Sequence, residues 1–181
     1  FVGSRGLGDV YKRQIGKSTA INLLSGTFRP NLGDWENSSP DWDEVISTFP
    51  RGELRDYLGM VSTGEVSIAV KPQYIDKLPR IFDGEVRELL ARVDDRGEIE
   101  NYTELMGISH ILDRKLGDLS GGELQRVAIC ATLLKEADVY FFDEPSSYLD
   151  IYERMRMVGV VRELAEKGKR VLVVEHDLAI L

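Results

Sequence analysis

Two hydrophobic patterns take turns along this chain. Val139-Tyr140-Phe141-Phe142 and Val171-Leu172-Val173-Val174 are continuous apolar runs of strand length. Such runs predict strands buried on both faces of a parallel sheet. The stretch 66–73 predicts a further strand, ending in a turn. Between these lie helical patterns. Leu124, Val127, Ala128, Ala131 and Leu134 share one face of a helix over 121–135. Further helices are expected from Lys17 to about Leu24, closed by Gly26, and over 84–93, 97–106 and 151–167. Strands alternating with helices predict an α/β fold, a mostly parallel sheet flanked by helices.

One segment breaks the alternation. Trp42, Val45, Ile46 and Phe49 fall at i, i+3, i+4 and i+7, one apolar stripe of a helix. Ser39 can cap it, and Pro40 suits the first helical position. Pro50 and Gly52 interrupt the pattern, and Leu54, Leu58 and Val61 resume it. The prediction is a helix–loop–helix over about 40–62, following a turn at Thr27–Gly33. A helical subdomain is expected over about 82–135, within a single domain.

The 181 residues suffice for one domain with a proper core. The net charge of −8 argues against nucleic-acid binding driven by bulk charge, though not against a local contact patch. The single cysteine, Cys130, excludes an intrachain disulfide. Its apolar neighbours predict burial in a helix and a reduced, cytoplasmic setting. No apolar run approaches the roughly 20 residues that span a bilayer. The first residue is Phe1, inside a strand-like run, and the last is Leu181, at the start of a helical one. A piece of a longer protein is the expectation.

Gly16-Lys17-Ser18-Thr19 stands at the start of a helix, where unpaired N–H groups and a positive dipole end suit phosphate. Lys17 would reach the β- and γ-phosphates of a nucleotide, and Ser18 would ligate Mg²⁺. A phosphate loop needs a further Gly upstream, at the position that Tyr11 holds. Val139–Phe142 delivers Asp143 and Glu144 at a strand's C-terminal end, where ligands bind in parallel α/β sheets. Asp143 would hold Mg²⁺ through its water shell, and Glu144 would polarise the attacking water. A helix cap or a surface acid pair is the competing reading of these two acids. Leu119-Ser120-Gly121-Gly122-Glu123 opens a helix, again an anion-binding geometry, with a plain N-cap at Ser120 as the alternative. Gln73 at a strand end can bind Mg²⁺ or its water. His176, following the apolar run 171–174, can reach a γ-phosphate. His110 carries little functional weight.

The order GKST, Gln73, LSGGE, Asp143-Glu144, Ser147-Tyr148-Leu149-Asp150 and His176 resembles an ATP-binding-cassette ATPase, a P-loop NTPase of ABC type. The resemblance runs over nearly the whole chain from Ile15. It implies a head-to-tail sandwich of two cassettes. Gly16, Lys17, Ser18, Thr19, Gln73, Asp143, Glu144 and His176 would serve one nucleotide. Ser120, Gly121, Gly122 and Glu123 would serve the nucleotide of the opposite cassette. Ser147 to Asp150 would match the D-loop that couples the two sites.

Lys71-Pro72-Gln73-Tyr74-Ile75-Asp76 and Asp143-Glu144-Pro145-Ser146-Ser147-Tyr148-Leu149-Asp150 are similar to the first nucleotide-binding domain of the ribosome-recycling ATPases of ABC subfamily E, the RNase L inhibitor family. Pro30-Asn31-Leu32-Gly33, Pro40-Asp41-Trp42 and Val174–Leu178 fit the same pattern. The resemblance implies an ATPase that splits ribosomal subunits by closing a clamp. It implies ATP and Mg²⁺ as cofactors, with iron–sulfur clusters only in a part outside this chain. It also implies a second cassette, the small ribosomal subunit and termination factors as partners, and no membrane. The family's loop begins Val-Gly and resumes Ile-Gly-Lys-Ser, as Val2-Gly3 and Ile15–Ser18 do here. Ser4–Gln14 stands where three residues are expected, and its GDVYKRQ resembles translated adapter sequence. It is excluded from function, and the chain as written is expected to bind ATP poorly. The competing readings are the ATPase subunit of a membrane transporter and an inactive fragment.

Overall fold

The computed structural model describes residues 16–33 and 40–175. They divide into two compact units, one running through Ser67 and one starting at Ile68.

Among the described residues the first unit holds three helices, α1 (Lys17–Leu24), α2 (Trp42–Ser47) and α3 (Glu53–Thr63). The N-cap of α2 is Asp41, whose carboxylate accepts from the Trp42 N–H at 2.6 Å. This corrects the expectation that Pro40 takes the first helical position; Ser39 lies outside the described residues. The helix ends at Ser47, before Phe49 of the predicted stripe. Val45 and Leu58 are fully buried, whereas Leu54 is 45% exposed and does not join the apolar face. The Tyr57 hydroxyl donates to the Leu24 carbonyl at 2.9 Å, tying α3 to the end of α1. Gly26 sits close by at φ +74, and a Cβ on it would come 2.9 Å from the Val61 side chain. Only glycine meets both conditions without strain.

The second unit carries a three-stranded parallel sheet in the order β1 (Ile68–Lys71), β2 (Val139–Asp143), β3 (Arg170–Val174). Ile68 pairs with Val139 and Val139 with Arg170, so the three strands run in step. Helices α4 (Leu78–Ile81), α5 (Val86–Val93), α6 (Ile99–Leu105) and α7 (Gly121–Leu133) lie between β1 and β2 in the chain, and α8 (Ile151–Glu166) connects β2 to β3. β2 is buried at every residue, as its apolar run predicts. β3 is not, with Leu172 at 42% exposure. It is an outer strand among the described residues, so its apolar run overstates its burial.

The α7 helix departs from its predicted single face. Gln125, Ile129, Cys130 and Thr132 are buried together with Leu124, Val127 and Ala128. It is a central helix enclosed on most sides. Side chains of α5, α6 and α7 share one apolar cluster with Ala69, Tyr140 and Phe142 of the sheet. The helical stretch and the sheet thus bury their apolar faces in the same core.

Candidate nucleotide site

In the first unit, Gly16 is the N-cap of α1 and makes no side-chain capping bond. A helix start of this kind offers backbone N–H groups to an anion. Lys17 and Ser18 are half-buried there and Thr19 is exposed.

The second unit assembles other motifs around the end of β2. Asp143 is its last residue and is buried. Glu144 follows at φ +46, a left-handed conformation uncommon for a residue with a side chain. Its N–H donates to the Val174 carbonyl at 2.8 Å, and its carbonyl accepts from the Ser147 N–H at 3.3 Å. Glu144 lines a cleft of about 330 Å³ together with Gln73, Asp76, Ser147 and Tyr148. Two of the predicted residues, Gln73 and Glu144, therefore meet in one cavity.

Three side chains hold this turn, and the sequence reading assigned a role to none of them. Lys71 is fully buried, and its Nζ donates to the Asp143 carbonyl at 2.9 Å and the Glu144 carbonyl at 3.4 Å. Burial pushes its ammonium down to about 8, while Asp143, Glu175 and Glu144 pull the other way. The Gln125 amide donates to the carbonyls of Glu144 and Pro145. The Glu175 carboxylate accepts from the Ser146 N–H at 2.8 Å. No local signal in the sequence finds the lysine. It alternates with Ser67 and Ala69, opposite the larger apolar Val66, Ile68 and Val70, yet Ala69 and Lys71 are the buried pair of β1.

Ser120 caps α7, as the simpler reading of LSGGE predicts. Its Oγ accepts from the Glu123 N–H at 3.3 Å, while the Glu123 carboxylate accepts from the Ser120 N–H at 2.8 Å, a capping box. Arg114 pairs with the other Glu123 oxygen at 3.0 Å. The Ser120 hydroxyl and N–H hold the Glu123 carboxyl below its ordinary value, with Arg114 and Arg126 adding to this. Glu123 thus shapes the Ser-Gly-Gly turn with both of its oxygens engaged. A Cβ on Gly121 would lie 3.3 Å from the Tyr148 ring, and one on Gly122 would lie 3.0 Å from the Tyr148 carbonyl. Tyr148 itself has φ +65 and is exposed. Asp150 caps α8 in a second capping box with Glu153, and Glu153 pairs with Arg126 at 2.8 Å. His176 and Ser4–Gln14 lie outside the described residues.

The family described as ABC transporter matches residues 15–147. The chain belongs to the ABC family. Among ABC proteins, Protein Pixie of Drosophila melanogaster is 43% identical over 97% of this chain. The ABC transporter E family member 1 of Arabidopsis thaliana is 42% identical over 97% of it. A crystal structure of an archaeal ribosome recycling factor with the archaeal ribosomal stalk protein matches 91% of the chain at 49% identity, with a TM-score of 0.84. These likenesses place the cassette in ABC subfamily E. The chain spans 28%, 29% and 31% of those three proteins. No helix among the described residues is long and apolar enough to cross a membrane. An ABC cassette works on nucleotide and Mg²⁺, and the oxygen donors of Asp143 and Gln73 are of the hard type that Mg²⁺ takes.

Proposed function

We propose that this cassette binds and hydrolyses ATP within a longer cytosolic protein that splits ribosomal subunits by closing a clamp. The observation that carries the reading is the shared cleft of Gln73 and Glu144 in a chain 49% identical to a recycling factor. Lys17 and the N–H groups from Gly16 to Thr19 bind phosphate. Ser18, Asp143 and Gln73 are the residues that would hold Mg²⁺, which supplies charge neutralisation at the phosphates. Glu144 orients and polarises the attacking water, and His176 approaches the γ-phosphate. Ser120, Gly121 and Gly122, shaped by Glu123, receive the nucleotide of a second cassette, and Asp150 anchors the loop between the sites. Termination factors and the small ribosomal subunit are the partners of this reading. Iron–sulfur clusters would lie outside this chain, whose one cysteine is buried.

The helix–loop–helix is the proposed ribosome-facing element. Arg51 and Arg55 are its cations, against Asp41, Asp43, Glu44, Glu53 and Asp56. The test is cosedimentation of the full-length gene product with ribosomal subunits in a non-hydrolysable ATP analogue. Binding that depends on the analogue is expected, and its absence overturns the ribosomal reading.

A further inference from the structure

Four consecutive residues after the body of β2 each have a backbone group taken by a side chain from another element. Lys71 of β1 takes the carbonyls of Asp143 and Glu144, Gln125 of α7 takes those of Glu144 and Pro145, and Glu175 after β3 takes the Ser146 N–H. A left-handed non-glycine residue persists only where its surroundings over-determine it. Glu144 is such a residue, and it lines the cleft with Gln73.

We propose that Lys71 is a positioning residue for Glu144, fixing the left-handed turn that presents it to the cleft. Lys71 acts through the carbonyls of that turn, and it ends β1 just before Pro72 and Gln73. One short segment therefore braces one wall of the cleft and supplies the other. The brace needs N–H donors at Nζ, which a lysine keeps in either protonation state. Methionine fills a similar volume without a donor, and arginine retains donors.

The catalytic consequence rests on the ATPase reading, but the brace is tested apart from it. Amide exchange of the full-length protein without nucleotide is compared for the parent, Lys71→Met and Lys71→Arg. Exchange of the Glu144, Ser146 and Ser147 amides is expected to rise about tenfold in the methionine variant, the loss of a hydrogen bond from a charged donor. It is expected to fall back towards the parent in the arginine variant. Unchanged exchange overturns the proposal. Acceleration spread equally through Val160 and Leu164 of α8 also overturns it, because Lys71 is then a general structural group. In phosphate-release assays the methionine variant is expected to lose kcat about tenfold with little change in KM for ATP. A parent that hydrolyses no ATP removes the ATPase reading and leaves the exchange result to decide the brace.

Discussion

The Gln125 amide nitrogen donates to the Glu144 carbonyl at 2.9 Å and to the Pro145 carbonyl at 2.8 Å. One side chain on the LSGGE helix therefore reaches the turn that carries the candidate catalytic carboxylate. Gln125 is 1% exposed, and its bond to the Pro145 carbonyl is buried while that to the Glu144 carbonyl is partly so. Gln125→Leu leaves two carbonyls without this donor. Stability is expected to fall by about 2–3 kcal/mol, read as a lower urea midpoint with an unchanged slope.

Glu144→Gln keeps the shape of the side chain and removes its charge. Phosphate release is expected to fall by about 10²-fold or more, while nucleotide affinity is retained. Single-turnover hydrolysis and fluorescent-nucleotide binding, run on the same preparation, separate the two effects.

Glu153 has two structural duties, the capping box with Asp150 and the ion pair with Arg126 at 2.8 Å. Both partners of the pair are mostly enclosed, with side chains 14% and 17% exposed. Glu153→Ala is expected to cost about 2–3 kcal/mol, more than Asp150→Ala, which removes the cap alone. Chemical denaturation of the two variants checks the ranking.

The Glu123 carboxyl is depressed by its bonds to Ser120. A depressed carboxyl adds stability that is complete above its unfolded value, about 4.3. That stability is lost as the pH falls through the lower folded value. Glu123→Gln is therefore expected to flatten the acid limb of the stability profile and to leave the slope at neutral pH unchanged. Thermal midpoints across that range are the measurement.

Cys130 is buried, and burial pushes its thiol up to about 12. The thiolate is scarce at neutral pH and inaccessible. A chromogenic disulfide reagent is expected to leave Cys130 unmodified in the folded protein and to react with it fully in denaturant.

The parallel sheet and the long helices are legible in the sequence because each has a local signature. The apolar run of β2, the cap at Ser120 and the acid pair Asp143-Glu144 are read from neighbours in the chain. Lys71, Gln125 and Glu175 are not, because their partners lie on other elements: Lys71 and Asp143 are 72 residues apart. The α7 helix misleads for a related reason. A periodic stripe identifies the face that must be buried, but Gln125 and Thr132 are buried as well, through bonds to Glu144, Pro145 and the Ala128 carbonyl. Helix α2 shows the limit of capping signals. The Ser39-Pro40 signal starts the helix at Pro40, whereas the Asp41 carboxylate accepts from the Trp42 N–H and makes Trp42 the first helical residue.

The approach of Gly122 to the Tyr148 carbonyl has a mechanical meaning. There the first turn of α7 faces the Tyr148 loop backbone to backbone, so a clash could not be relieved by rotating a side-chain bond. A displacement of the Ser-Gly-Gly turn towards this loop meets the Tyr148 backbone two residues before Asp150, the cap of α8. A methyl group added at Gly122 would act as a shim that holds the two loops apart.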